Sequence, residues 1–264
     1  MSAADLDLSR FRSSLRTRSL GRRFEYVPSC TSTNDEVATR ALAGAEEGLL
    51  LVAGEQTAGR GRRGRVWQSP ADQNLTFSML LRPALPAQRV APMTLLAGAA
   101  LASSLAGLGF SPRLKWPNDV LLDTTAGPRK VAGILTEMAS EAGCVRHVIL
   151  GVGINVNTEA FPIELAARAT SLCVARGQKV DRGQVLVAFV NAFEPIYDNF
   201  VAHGPSSALA SWNDYALLGQ LCSVERNGEP IHGVAVAVDE SGTLLVKIAN
   251  GETISVHAGE VNWL

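Results

Sequence analysis

The stretch GRGRRGRVWQSP, residues 59–70, sets Arg60, Arg62, Arg63 and Arg65 among glycines and closes on an indole, Trp67. Guanidinium groups on a flexible backbone suit the wrapping of an anion in charge-assisted hydrogen bonds. Gly59, Gly61 and Gly64 also satisfy the G-x-G-x-x-G spacing of a dinucleotide-binding turn. That use requires a helix to open at the third glycine and hold a pyrophosphate at its N-terminus. Here the chain runs on through Ser69-Pro70 into the strand-like NLTFSMLLRP, so the dinucleotide reading fails. No G-K-[ST] of a phosphate-binding loop follows these glycines either. Taken alone, the run is equally a solvated basic loop or a nucleic-acid patch. The whole chain, however, balances 24 Lys+Arg against 25 Asp+Glu, a formal net charge of −1. Such balance favours a small anionic ligand over a polyanion.

Ser32, Thr33 and Asn34 place two hydroxyls and an amide at the mouth of a helix. One of them serves as a cap, and three in a row also suit hydrogen bonding to a small polar head group. Gln56 ends a strand just before the arginine loop, as a turn residue or as a ligand amide. In KWPND, Lys115 to Asp119, a cation, an indole, a proline, an amide and a carboxylate interrupt an apolar strand. Pro-Asn-Asp form turns readily, yet the flanking apolar residues hold Lys115 and Asp119 near the interior, where charges are paired or functional. Lys130 opens the apolar run KVAGIL, either solvated at a strand end or facing a ligand. Gly151, Gly153 and Asn155 lie in GVGIN, and glycine weakens a central strand unless something must approach its backbone closely. A flat ligand lying on those glycines is one such reason.

Other chemistries lack their residues. Cys30, Cys144, Cys173 and Cys222 lie far apart with no C-x-x-C pair, which suits thiols in a reducing compartment. His147, His203, His232 and His257 are equally scattered, and no G-x-S-x-G occurs. What remains is a set of donors and acceptors for a neutral head, cations from the arginine loop, Lys115 and Lys130, and a carboxylate, Asp119, able to meet a divalent ion. That inventory suits electrostatic catalysis at a phosphate, such as joining a carboxylate to the α-phosphate of ATP.

The elements that must position these groups read as a mixed α/β domain to about residue 215, followed by a β-barrel-like tail. TSTNDEVATRAL has the capping-box spacing from Thr33 to Glu36 and predicts the first ordered helix. Residues 48–56, 74–83, 112–122 (interrupted by Pro117), 130–138 and 145–157 read as strands. A helix is expected from about Gln184 to Val201, bent or shortened by Pro195. After Leu217, short Val-rich runs alternate with the turn signals RNGE, DESG and ANGE. Residues 90–112 carry no charge and are long enough to span a membrane, but Ala, Gly and Ser dominate them and Pro92 and Pro112 bound them. A tightly packed core helix is expected there. The N-terminus lacks the apolar core of a secretory signal, and a cytoplasmic protein is expected.

STN, EQTAGRGRRGRVWQSP, LKWPNDV, KVAGILTE and GVGINVN occur in the order and approximate spacing of biotin–protein ligases, so the chain, from Ser29 to Asn157, resembles that family. The resemblance implies a mixed β-sheet with flanking helices, similar to the class II synthetase/biotin ligase catalytic fold, over residues 26–215. It implies a small SH3-like β-barrel over 216–264, with 1–25 as an N-terminal extension. It implies formation of biotinyl-5′-AMP from biotin and MgATP, then transfer of biotin to a lysine of the biotin carboxyl carrier domain of acyl-CoA carboxylases. Biotin binding would fall to Ser32, Thr33, Asn34, Gln56, Gly151 and Gly153. The adenylate would meet Arg60, Gly61, Arg62, Arg65, Trp67, Asn118, Lys130 and Asn155, the last facing adenine. Arg62, Lys115, Asp119 and Lys130 would be catalytic, with Asp119 also at the Mg2+. Residues 1–25 are too few for the winged helix of some members, so nucleic-acid binding is not expected, nor is membrane binding. A monomer or a homodimer fits equally. A lipoate ligase is the nearest rival, and the GRGRRGR and KWPND pair points to biotin instead.

Overall fold

The computed structural model describes residues 8–226, 229–259 and 261–264. The chain opens with α1 (Leu8–Ser14), β1 (Arg23–Cys30), α2 (Thr33–Leu42), β2 (Leu49–Gln56) and β3 (Leu75–Leu81). Then come α3 (Met93–Gly107), β4 (Pro112–Lys115), β5 (Asp119–Leu122), β6 (Arg129–Glu141) and β7 (Cys144–Ile154). The short helices α4 (Ile163–Ala166) and α5 (Leu172–Arg176) precede the long α6 (Arg182–His203) and α7 (Ser206–Tyr215). The tail is all strand: β8 (Leu221–Arg226), β9 (Glu229–Val238), β10 (Leu244–Ile248), β11 (Thr253–Val256) and β12 (Val261–Trp263).

A seven-stranded sheet in the order β1-β2-β3-β7-β6-β5-β4 is parallel only between β1 and β2, and antiparallel elsewhere. Its two faces follow from the two-residue period of a strand. In β2, Leu50 and Val52 enter the large core while Leu49 and Leu51 pack beneath α2. In β7, Val148, Leu150, Val152 and Ile154 join the large core, and Ile149 joins the smaller one. The large core is closed by α3, α6 and α1. On α6, Phe189, Phe193 and Phe200 are buried, and Phe189 packs on Phe77 of the sheet with ring centroids 5.4 Å apart. The uncharged helix expected within 90–112 is α3, whose Ala97, Ala99, Ala100 and Leu101 are fully buried. Ala87–Gly107 and Arg182–His203 are long and apolar enough to cross a membrane by length and composition, yet both lie in this layered core.

The tail folds as an antiparallel five-stranded sheet in the order β11-β10-β9-β8-β12. Of its expected turns, the tip of RNGE at residues 227–228 lies outside the described residues. Three expectations need correction. The first helix is α1, not α2, because Phe11 and Leu15 supply an apolar face that buries in the large core. Thr33 is not the cap of α2; Ser32 is, and the Thr33 hydroxyl turns to Gln56 instead. Pro195 does not shorten α6, which runs from Arg182 to His203 because the aromatic ladder on both sides of the proline anchors it.

One carboxylate of α6 gathers three backbone donors of the N-terminal segment. Buried Glu194 on α6 accepts from the backbone N–H of Arg18 (2.6 Å), Ser19 (2.8 Å) and Leu20 (2.8 Å). Burial alone would push the Glu194 carboxyl up, but these donations outweigh it and hold the group below the usual range. Glu194→Gln is expected to cost about 1–3 kcal/mol at neutral pH, since three backbone N–H groups, that of Leu20 buried and those of Arg18 and Ser19 partly so, lose a charged acceptor. With the folded pKa below the unfolded one, this stabilisation is full above about pH 4.3 and is lost as pH falls through the folded value. Urea midpoints of parent and variant should therefore differ widely at pH 7 and by less at pH 3. An equal gap at both pH values would exclude this role.

Candidate functional site

The register of the large sheet builds the site. Lys115 stands opposite Asp119, Asp119 opposite Gly133, Gly133 opposite Gly153, and Gly153 opposite Thr76. Paired residues share a face, so a single row of side chains crosses β4, β5, β6, β7 and β3. On one side of this row lies the mouth of α2. On the other lies the β4–β5 turn, and the segment from Gly59 to Trp67 passes over it.

Two glycines in the row leave bare backbone. A Cβ on Gly153 would lie 2.4 Å from Trp67 Cε2, and one on Gly133 would lie 3.3 Å from Trp67 Cζ3 and 3.2 Å from Lys130 Nζ. The indole and the lysine stem thus rest on the same floor. From there Lys130 Nζ reaches Asp119 Oδ1 at 2.6 Å and stands 5.6 Å from the Trp67 ring centroid. The flat group that rests on Gly153 is the Trp67 indole. The glycine at 151 is explained by Asn34, whose Oδ1 would lie 2.2 Å from a Cβ there. Trp67 and Asn34 thus account for glycine at both positions, and both glycines line the same cavity as the polar residues of α2.

At the mouth of α2, Ser32, Thr33 and Asn34 are buried. Gln56 Oε1 accepts from Thr33 N at 2.7 Å and Thr33 Oγ1 at 3.0 Å, which fixes the orientation of its amide. Ser78 Oγ lies 2.7 Å from Thr33 Oγ1 and 2.6 Å from Asn34 Oδ1, and its single proton serves one of them at a time. Asn34 Nδ2 donates to Glu137 Oε2 at 2.6 Å.

The arginine loop is bridged at its base by Arg60 and Val66, with Arg62–Gly64 forming a short 3₁₀ turn in which Arg63 adopts φ 57°. Its arginines reach opposite walls. Arg60 meets Asp35 at 2.6 Å and Glu137 at 3.2 Å. Arg62 donates to Asn118 Oδ1 at 3.2 Å, and Asn118 is in turn oriented by its donation to the Ile134 carbonyl at 3.1 Å. The Trp116 side chain, in the same turn as Asn118, is buried and donates to the Gly242 carbonyl of the tail at 2.9 Å.

These elements enclose a cavity of about 1050 Å3. Its wall brings together Ser32, Thr33, Asn34, Gln56, Arg60, Gly61, Arg62, Arg65, Trp67, Lys115, Asn118, Asp119, Lys130, Gly151, Gly153 and Asn155. Asn155 is buried, and its amide is spent on the Thr170 carbonyl at 3.2 Å, so it braces the segment that closes one edge of the cavity. The Trp67 indole N–H is buried without a hydrogen-bond partner among the described residues. Asp119 is the one acidic residue lining the cavity among the described residues, and no cluster of three or more His, Cys, Asp or Glu stands ready for a metal among them. A divalent ion at Asp119 would depend on oxygens brought by its ligand, as Mg2+ with a polyphosphate does.

Sequence reading passed over Gly133, Ser78, Glu137, Phe161 and the tail residue Trp263, of which Gly133, Phe161 and Trp263 line the cavity. Ser78 carried a signal, since Thr76 and Ser78 alternate with apolar residues in a strand that is otherwise hydrophobic. Glu137 was an acid on the face of Gly133, two steps of two residues along the same strand. Nothing local in the sequence marked Phe161 or Trp263. Gly153→Ala is expected to drive the indole off the strand and shift tryptophan emission to the red. The same substitution in a Trp67→Phe background should leave emission unchanged, and no shift in either would exclude the stacked floor.

The chain was compared with known proteins. The Biotin/lipoate A/B protein ligase family model matches residues 26–155, and the model of the Biotin protein ligase C terminal domain matches 217–262. The bifunctional ligase/repressor BirA of Bacillus spizizenii is 38% identical over 250 residues, covering 93% of this chain and 76% of the relative. The biotin–[acetyl-CoA-carboxylase] ligase of Mycobacterium tuberculosis is 35% identical over 247 residues, covering 91% and 88%. The structure of the biotin protein ligase from Aquifex aeolicus, in complex with biotin and ATP, superposes with a TM-score of 0.78 at 28% identity, covering 92% of this chain and 99% of that one. The family models, the relatives and the solved structure agree, and the chain belongs to the biotin/lipoate A/B protein ligase family.

Proposed function

We propose that the chain is a biotin–protein ligase that activates biotin with ATP and passes it to a lysine of the biotin carboxyl carrier domain of an acyl-CoA carboxylase. The observation that carries this is the composition of the large cavity. Hydroxyls and amides line its α2 side, cations line its loop side, and among the described residues no cysteine or histidine lines it. The relatives named as biotin ligases support the choice of biotin.

In this reading Ser32, Thr33, Asn34 and Gln56 receive the neutral head of biotin, and the Gly151–Gly153 strand lies beneath it. The carboxylate end points toward Lys130. A biotin carboxylate oxygen attacks the α-phosphorus of ATP, pyrophosphate leaves, and a mixed anhydride forms. Lys130, Arg60, Arg62 and Arg65 meet the charge that builds on the phosphate oxygens, fixed in place before reaction. The Lys130–Asp119 pair keeps that ammonium aimed across the floor. Lys115, Asn118 and Asp119 serve the phosphates and the incoming lysine. When a divalent ion accompanies the triphosphate, it supplies charge neutralisation at the leaving oxygens, with Asp119 as its protein contact. Trp67 covers the ligands, and Asn155 braces the wall on the adenine side. In the second step the carrier lysine amine attacks the acyl carbon and AMP leaves.

The same reading takes 26–215 as the catalytic domain and 216–264 as the SH3-like unit. Residues 1–25 form an extension whose described part packs on the catalytic core. Free thiols at Cys30, Cys144, Cys173 and Cys222 support a cytoplasmic setting. The charge balance supports action without nucleic acid, by a monomer or a homodimer alike.

The test is the intact mass of a carboxylase carrier domain after incubation with the protein, MgATP and biotin, with a parallel sample containing lipoate. Gain of one biotinyl group, dependent on ATP, is expected. Gain from lipoate alone would move the assignment to the sister chemistry, and no gain from either would exclude ligase activity. Arg62→Gly should retain adenylate formation but release biotinyl-AMP about tenfold faster, a loss near the 1.4 kcal/mol of one charge-assisted contact. Release at the parent rate would remove Arg62 from the loop's holding role.

A further inference from the structure

Beyond the residues that face the ligands, one carboxylate joins two parts of the site. Glu137 Oε2 accepts from Asn34 Nδ2 at 2.6 Å and from Arg60 at 3.2 Å. Asn34 is itself confined. Its Oδ1 lies 2.6 Å from Ser78 Oγ, and it occupies the space a side chain at 151 would take. Its amide N–H therefore holds Glu137 from a buried, inflexible base. Arg60 in turn spans Glu137 and Asp35, the residue next to Asn34 on α2. Exposed ion pairs are individually weak, and here both acceptors stand on rigid elements, so the guanidinium is offered a fixed socket.

We infer that Glu137 is a positioning residue that anchors the arginine loop, through Arg60, to the amide that receives the ligand head group. The inference rests on the ligase reading for its functional consequence, but not for its structural one. One loop arginine, Arg60, is docked on the α2–β6 wall while another, Arg62, reaches the β4–β5 turn, so the loop spans the cavity between two attachments. Loss of the Glu137 attachment leaves Arg60 with the exposed Asp35 alone, and the loop otherwise held at its base and at Asn118. A ligand head that draws on Asn34 and an anion that draws on Arg60 both act on the same Glu137 oxygen. Occupancy at the two ends is thereby linked.

Two readouts separate this inference from the activity it serves. In limited trypsin digestion without any ligand, Glu137→Gln is expected to speed cleavage after Arg62, Arg63 and Arg65 about tenfold, with cleavage elsewhere unchanged. Arg60→Gln should do the same, and the double variant should be no faster than Arg60→Gln alone. With biotin and MgATP, Glu137→Gln should form the adenylate at a rate within threefold of the parent and release it about tenfold faster. Loop cleavage at the parent rate, effects that multiply in the double variant, or acceleration spread evenly over the chain would each overturn the anchor. If the parent formed no adenylate, the ligase reading would fail while the digestion still judged the anchor.

Discussion

Everything at the site depends on the register of β5, β6 and β7. Because opposed residues in an antiparallel pair share a face, the alignment Asp119–Gly133–Gly153 brings a carboxylate beside two bare stretches of backbone. Slipping any of these strands by one residue would turn its half of the row toward the helical core, where Val152 and Ile134 now sit. The hydrophobic alternation of β7 resists such a slip. Val148, Leu150, Val152 and Ile154 all have to leave the core for it to happen. The strength that pins the chemistry is thus the ordinary burial of aliphatic side chains on the other face of the sheet.

That division of labour lets the polar face be expensive. A lysine–aspartate pair, three buried hydroxyl and amide residues at the mouth of α2 and a run of arginines would not stabilise a fold by themselves. They are tolerated because each is given a partner: Gln56 for Thr33, Glu137 for Asn34 and Arg60, Asn118 for Arg62, Asp119 for Lys130. The tail joins this arrangement through the Trp116–Gly242 bond, which fixes the β4–β5 turn from outside the large sheet.

Much of this was legible in the residues. The strands at 49–56, 75–81 and 144–154 follow from apolar runs, and the motif residues meet in one cavity. What escaped was set by distance in space rather than by pattern. GVGIN showed that something must approach the backbone, but that it is Trp67 and Asn34 depends on a loop and a helix more than 80 residues away in the chain. The capping-box spacing at Thr33 was real, yet Gln56 claimed the hydroxyl because β2 ends beside it. α1 was overlooked since seven residues carry little periodicity of their own, and its burial is conferred by α6.

The contact between Glu194 and the turn at Arg18–Leu20 spans about 175 residues of chain. For a polypeptide that emerges from the ribosome beginning at its N-terminus, this separation is a delay. The turn carries three backbone donors with no acceptor to meet until α6 has been made, and β1, which follows it, forms the edge of the sheet. Its docking closes a long loop at a late stage, when most of the antiparallel strands already have their neighbours. The N-terminal segment is therefore a latch that can fasten only once α6 exists, because that helix supplies its carboxylate.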